Sequence, residues 1–170
     1  MTRGGGDCKE GRDVEMGEDH GDPVTTLLAG ARSARSDPDT AEAAVKEAVA
    51  AAPDSFEARL AAYRFYFYNH RLAEARPHAA EIVVRMARRL NVATDWRLVA
   101  PEDAAFSGLD EAPSLYLQAL LAWGYAGVRL GRTEEGCSAL QKVAELDPRD
   151  RFGARRLLAV IAAGREAEDA

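Results

Sequence analysis

A single spacing recurs along this chain and places small residues and proline twelve positions apart. Gly124, Gly136 and Pro148 are separated in this way. The same two intervals separate three residues near the N-terminus: Ala29, Ala41 and Pro53. A sequence that repeats itself at a fixed interval folds as a stack of similar units, because each unit buries its apolar face against the next. The spacing therefore predicts a short repeat array.

The residue types indicate which kind of unit is repeated. Alanine supplies 34 of the 170 residues, whereas there are only 5 Phe, 5 Tyr and 2 Trp. A core with so few large side chains has to be built from surfaces that approach one another closely. This composition favours packed helices over a β-sandwich or a β-barrel.

The clearest unit resembles a known repeat. It runs from Leu117 to Pro148, LQALLAWGYAGVRLGRTEEGCSALQKVAELDP, and is similar to the tetratricopeptide repeat (TPR), a helix-turn-helix unit of 34 residues. In that family, small residues at the eighth and twentieth places let two antiparallel helices touch, and the terminal proline ends the second helix. The resemblance implies an all-α fold: a short right-handed α-solenoid of about three repeats with an insertion and a C-terminal capping helix.

The same register divides the chain. We expect a TPR-like helical domain at 23–164, with repeats at about 22–55, 56–89 and 117–150, an insertion at 90–116 and a capping helix at 151–163. Residues 1–22 contain seven acidic and three basic residues and almost no apolar ones, so they are predicted to be a disordered acidic tail. Residues 165–170 are predicted to be a second disordered tail. Within the insertion, we expect a short helix near Pro101 to Phe106 and docking of Trp96 or Phe106 on the solenoid.

The first helix of each repeat lines the concave face of such a solenoid, which is the usual peptide-binding surface of the family. The resemblance therefore implies a groove, and the register predicts its residues: Leu60, Arg64, Phe67 and Tyr68 in the second repeat, and Gln118, Leu121, Tyr125 and Arg129 in the third. Arginine and tyrosine suit acidic or extended peptides. In the alternative interpretation, the four consecutive aromatic residues at 65–68 fill the core, although successive helical residues point about 100° apart.

The distribution of charge bears on possible partners. The net charge is −6, which argues against nucleic-acid binding because that requires a basic surface. Between Arg59 and Arg97, however, eight arginines face only three acidic residues. Such a basic patch could bind an acidic partner or the chain's own acidic tail. Alternatively, the acidic insertion, with Glu102, Asp103, Asp110 and Glu111, folds over the basic second repeat.

Catalytic and metal-binding patterns are weak in this sequence. His70 and His78 are eight residues apart, whereas helical metal ligands are normally three or four apart. We expect no enzyme activity, no cofactor and no metal site. A rival hypothesis is a metal- or cofactor-handling protein that uses Cys8, His20 or the pair His70 and His78. A third possibility is a structural solenoid that forms a homodimer. Two cysteines and no long apolar run predict a cytoplasmic protein without a membrane span.

A more particular resemblance concerns three strings: LAAYRFYFYNHRLAEA, DAAFSGLDEAPSLYLQALLAWGY and LGRTEEGCSALQKVAELDPRDRFG. They are similar to small TPR proteins encoded beside nitrogen-fixation genes in bacteria. This resemblance implies a role in nitrogenase maturation, protection or assembly through protein contacts. The leading hypothesis is a non-enzymatic adaptor, monomeric or homodimeric, that binds a protein segment such as part of a nitrogenase component.

Overall fold

The computed structural model describes residues 24–25, 28–29 and 37–168, and every regular element within these ranges is helical. Within residues 37–168, six α-helices are described: α1 (Pro38–Ala51), α2 (Phe56–Tyr68), α3 (Leu72–Leu90), α4 (Glu111–Arg129), α5 (Thr133–Leu146) and α6 (Ala154–Glu168). Each helix packs against the next one in the chain. The all-α class is therefore confirmed for the described residues. The predicted acidic tail at 1–22 lies outside them.

Local sequence signals begin the first two of these helices. The Asp37 carboxylate accepts a hydrogen bond from the amide of Thr40 at 3.4 Å, and Pro38 occupies the first turn of α1. The Ser55 hydroxyl accepts one from the amide of Ala58 at 3.2 Å, at the start of α2. Both side chains satisfy amides that have no partner inside the helix.

One turn geometry joins α2 to α3 and also α4 to α5. His70 and Gly131 occupy corresponding places in the two turns, with φ angles of 58° and 82°. In each turn, the amide of the next residue, an arginine, donates to the carbonyl five residues back, at N···O distances of 2.9 and 2.8 Å. These positions are fifteenth in units that begin at 56 and 117, so the predicted register aligns two turns of the same shape.

Two glycines allow α4 and α5 to touch. A Cβ atom added to Gly124 would lie 2.9 Å from the carbonyl oxygen of Gly136 and 3.1 Å from the Cβ of Ala139. These distances are shorter than ordinary van der Waals contacts, so a larger side chain would push the helices apart. The two glycines are the small residues that the sequence pattern placed at the eighth and twentieth positions.

The main hydrophobic core lies among α3, α4 and α5 and includes part of the insertion. Its most deeply buried members include Ile82, Met86, Tyr116, Leu117, Leu120 and Val143. Trp96 and Phe106 belong to the same core and are 9% and 1% exposed. The sequence predicts docking of Trp96 or Phe106, and the structure buries both of them against the helices.

The conformation of the insertion differs from the sequence expectation. The short helix expected near Pro101 to Phe106 is wrong, because this segment forms turns. A 3₁₀ turn lies earlier, at Trp96–Leu98, where the Asp95 carboxylate accepts from the amide of Arg97. The Asp103 carboxylate accepts from the amide of Ala100 at 2.8 Å. This bond closes a turn that competes with a helix.

Two helix boundaries also differ from the expected bounds. α4 begins at Glu111, six residues before Leu117, since Asp110 is still extended and Pro113 suits the first turn of a helix. α6 spans Ala154–Glu168 rather than 151–163, so the helix continues through four of the residues expected to form the disordered tail 165–170. The carboxylate of Asp150 accepts from the amide of Arg155 at 3.0 Å, in the first turn of α6. The division into repeats, insertion and cap stays a prediction.

Candidate functional site

Three of the predicted groove residues lie along one face of α2. Leu60, Arg64 and Tyr68 are four residues apart, and all three line a cavity of about 640 Å³. The other described residues around this cavity are mostly apolar and include Leu28, Val45, Phe56, Ala61 and Phe65. Tyr68 is 76% exposed. This face of α2 therefore combines an apolar cavity with an accessible phenol and an accessible guanidinium.

α4 carries the other half of the predicted groove. Tyr125 accepts a hydrogen bond at its hydroxyl from Nη1 of Arg129 at 2.9 Å, and the guanidinium carbon lies 5.8 Å from the ring centroid. Leu121 is half-buried against the core, whereas Gln118 is exposed. In the described part of the chain, Gln118 makes no hydrogen bond to another groove residue.

One aromatic contact joins the two halves. The rings of Phe67 on α2 and Tyr125 on α4 meet nearly edge to face, with centroids 6.2 Å apart and planes at 69°. Such edge-to-face pairs are favourable beyond the area that they bury. The structure therefore brings the residues predicted from the second and third repeats together at this point.

The four aromatic residues at 65–68 do not all fill the core. Tyr66 is buried, at 5% exposure, and stacks on His78 with centroids 5.8 Å apart. Phe65 and Phe67 are half-buried, and Tyr68 reaches solvent. The core interpretation therefore holds for Tyr66 and fails for Tyr68, as expected from the helical angle between neighbours.

Burial controls the ionisation of two side chains behind the groove. Burial raises the pKa of Tyr63 to about 12, and the nearby Tyr68 adds to this effect. Burial also lowers the pKa of His78, with a smaller contribution from the Arg59 charge. Both effects favour the neutral form. The charges at the groove therefore come from its exposed side chains rather than from Tyr63 or His78.

Most arginines of the basic stretch form ion pairs in the described residues, and few of their partners lie in the insertion. The expected folding of the acidic insertion over the second repeat is limited to Glu111, which also lines the cavity on α2. Glu102 and Asp110 are exposed, and among the described ion pairs only Glu111 reaches across, to Arg89 at 3.8 Å. The reason is that the insertion packs against α4 and α5 through its apolar side chains.

The partners of these arginines are carboxylates on the helices. Arg71 pairs with Glu42 on α1 and with Glu74, Arg76 with Glu135 on α5, and Arg85 with Glu81. Arg64 has no carboxylate partner among the described residues. Glu57 and Glu111 line the same cavity, but neither forms an ion pair with Arg64 in the described residues.

One curated relative matches most of this chain. A protein of Azotobacter chroococcum mcd 1 is 40% identical over 125 residues, which make up 72% of this chain and 70% of the relative. It is described as an uncharacterized 19.8 kDa protein in the nifW 5′ region. The chain belongs to the family of that protein. No protein-family profile matches the chain, and no solved structure matches it.

The sequence did not predict one cluster of four side chains, which consists of two arginines and two tryptophans. The guanidinium of Arg76 lies 4.1 Å from the ring of Trp123, and the rings of Trp123 and Trp96 are 5.9 Å apart. The guanidinium of Arg97 lies over the Trp96 ring, 4.3 Å from its centroid. Glu135 joins the two arginines, at 2.6 Å from Arg76 and 3.8 Å from Arg97. These residues come from separate segments, so no spacing along the sequence could reveal the cluster.

His70 and His78, the candidate metal ligands, do not lie in a cluster of potential ligands among the described residues. His70 is exposed in the turn after α2, and His78 lies against Tyr66. The described residues contain no group of three or more His, Cys, Asp or Glu side chains that could hold a metal ion. Cys8 and His20 lie outside the described residues. None of the described helices is both long and apolar enough to cross a membrane.

Proposed function

We propose that this chain is a non-enzymatic adaptor that binds a segment of another protein. The binding groove consists of the predicted residues Leu60, Arg64, Phe67, Tyr68, Gln118, Leu121, Tyr125 and Arg129. The observation that carries the proposal is the exposed Arg64 and Tyr68 beside an apolar cavity on α2. Buried anchor positions with arginine and tyrosine at their edge are typical of protein-binding surfaces.

The proposed architecture is a TPR-like right-handed solenoid. The support for this architecture comes from contacts within single helix pairs. Two helix pairs share one turn geometry at His70 and Gly131, and Gly124 and Gly136 are in contact at the two small positions. In such an array the groove is built from the first helix of each pair, here α2 and α4. The ring contact between Phe67 and Tyr125 supports a continuous surface from one helix to the other.

The proposed ligand is an extended segment with acidic side chains. Arg64 has no carboxylate partner among the described residues, and Arg129 is exposed with its guanidinium held by Tyr125. An arginine can bind a carboxylate through two parallel hydrogen bonds. An apolar side chain of the same segment would fill the cavity of about 640 Å³.

The proposed context is nitrogen fixation. The support is the relative in the nifW 5′ region and its 40% identity to this chain. We propose that the adaptor acts in the cytoplasm on a nitrogenase component or on a protein that assembles or protects one. A monomer and a homodimer are both compatible with a groove that lies within one chain.

The test uses the purified full-length chain as bait in extracts of its own cells, grown with and without ammonium. The variant carries Arg64→Glu and Tyr68→Ala, both at exposed positions. The control carries Arg165→Glu, an exposed charge reversal near the end of α6. Wild type and control are expected to recover one partner from nitrogen-fixing cells that the double variant loses.

The partner is then purified, and its dissociation constant is measured for the three proteins. A loss of about tenfold or more with the double variant alone would support the groove. If the double variant keeps its helical circular dichroism and binds as well as wild type, the groove assignment is wrong.

A further inference from the structure

A second cleft lies between α3, the end of α4 and the turn that leads into α5. Its volume is about 470 Å³, and we call it the α3–α5 cleft. Its lining residues are Ala73, Arg76, Pro77, Ala80, Trp123, Leu130 and Arg132. None of them belongs to the groove on α2 and α4. The cleft is therefore a separate surface, and its properties do not depend on the proposed function.

The aromatic wall of the cleft is held rigidly. Trp123 is covered by the guanidinium of Arg76 at 4.1 Å and meets Trp96 edge to face. Arg76 is fixed in turn by Glu135, with Nη2 2.6 Å from the carboxylate. Binding to a wall whose side chains are already ordered loses little conformational entropy.

Apart from its two arginines, the residues that line the cleft are apolar. Leu130 is 44% exposed, although it is a large apolar side chain. Pro77 lies inside α3 and has no amide hydrogen, so the carbonyl of Ala73 lacks the donor that a helix normally supplies four residues later. Ala73 is exposed. Ala73 also lines the cleft, so a ligand bound there lies beside the residue whose carbonyl lacks this donor.

The charge of the cleft is positive. Two of its lining residues are arginines and none is acidic. Glu135 neutralises Arg76. Arg132 is exposed and has no carboxylate partner among the described residues. Glu134 follows closely on α5 but does not line the cleft.

We propose that the α3–α5 cleft is a second docking surface, and that its ligand is an extended segment of another protein with an acidic side chain beside an apolar one. The acidic side chain binds Arg132. The apolar side chain packs between Trp123 and Leu130, and a backbone amide of the segment donates to the carbonyl of Ala73. Charge complementarity selects this class of ligand, because Arg132 lines the cleft and has no carboxylate partner among the described residues. With two separate surfaces, one chain could hold two proteins at once.

The probe is a random-peptide library displayed on phage and selected on the full-length wild-type chain. Selected peptides are synthesised, and their dissociation constants are measured on wild type, Arg132→Glu and Arg132→Lys. Arg64→Glu provides a matched charge reversal in the groove. Quenching of tryptophan fluorescence reports on contact with the wall of the cleft.

We expect a set of peptides with Asp or Glu beside a large apolar residue. Their binding should weaken about tenfold or more with Arg132→Glu, weaken less with Arg132→Lys and remain unchanged with Arg64→Glu. They should also quench tryptophan fluorescence. If no selected peptide depends on Arg132, the proposal is wrong. Peptides that depend on Arg64 alone would support the groove and overturn the cleft.

Discussion

The carbonyl oxygen of Gly124 occupies the space where a side chain on Gly136 would begin. A Cβ atom added to Gly136 would lie 2.5 Å from this oxygen and 2.6 Å from Cγ2 of Val128. The contact joins the backbones of α4 and α5 directly. The two helices can therefore keep their separation only if both positions lack a side chain.

Gly136→Ala should destabilise the protein by about 1–3 kcal/mol, because the added methyl group forces backbone atoms apart in a packed interior. The free energy of unfolding is measured by urea titration and followed by circular dichroism. The matched control is Gly164→Ala on α6, where an added Cβ has no atom within 4 Å.

The control substitution should change the free energy of unfolding in the opposite direction. Alanine is favoured over glycine within a helix by about 0.8–1 kcal/mol, so Gly164→Ala should increase stability. Equal effects at positions 136 and 164 would show that contact between the helices does not explain the requirement for glycine at 136.

In the turns after α2 and α4, adding a side chain at the positive-φ position should lower stability, and removing one should not. Gly131→Ala should cost about 1 kcal/mol, although an added Cβ has no atom within 4 Å, because φ is 82° there and side chains disfavour that region. His70→Gly relieves the same strain at φ 58° and should be neutral or stabilising. Thermal unfolding of the two variants checks this. A loss of stability in both would contradict a shared backbone requirement.

Glu42 should make stability depend on pH at acidic values. Hydrogen bonds from Lys46 and Arg71 hold the pKa of the Glu42 carboxyl at about 2, below its ordinary value of 4.5. Since the folded state favours the charged form, the stabilisation is fully present above pH 4.5 and is lost as the pH falls towards 2. Urea titrations between these limits should show declining stability.

Glu42→Gln should flatten this decline, because the carboxyl that binds the extra proton is gone. Glu47→Gln is the control on the same helix, since Glu47 is exposed and makes no ion pair among the described residues. An unchanged slope in the Glu42 variant would exclude this carboxyl as the source of the pH dependence.

Arg151 should be among the most sensitive positions of the C-terminal half. Its guanidinium donates to the backbone carbonyls of Phe106 and Gly108 and to the carboxylate of Asp147, which is 1% exposed. Arg151→Ala should cost about 3–5 kcal/mol, because it leaves a buried carboxylate without its partner. It should also make the insertion more accessible to protease. Urea titration and limited proteolysis measure the two effects.

A second substitution tests the role of the carboxylate. Asp147→Asn in the Arg151→Ala background should recover part of the loss, because an uncharged amide is easier to bury than an unpaired carboxylate. If the double variant is less stable than Arg151→Ala alone, the unpaired charge is not the main cost.

The features that could be predicted from the sequence are those that depend on neighbours along the chain. The places of Gly124 and Gly136, the turn at Gly131 and the helical angle between Tyr66 and Tyr68 all follow from local periodicity. The burial of Trp96 and Phe106 follows from apolar residues in a segment too apolar for a linker. The early start of α4 could also have been found from Asp110 and Pro113.

The remaining features depend on contacts between distant segments. Arg151 binds backbone carbonyls of the insertion, and a carbonyl has no signature in the sequence. Arg76 meets Trp123 only because α3 packs on α4. The sequence also shows the charges of the insertion, but not that Glu102 would point into solvent. The charge composition therefore predicts that the arginines are paired with carboxylates, but it does not identify those carboxylates.

The burial of Trp96, Val99 and Phe106 makes the segment between α3 and α4 a structural part of the domain rather than a spacer. Deleting it to restore an uninterrupted array would uncover the apolar surfaces of α4 and α5 that these side chains cover. Any shortened version of this protein made for expression or for binding studies should therefore retain residues 91–110.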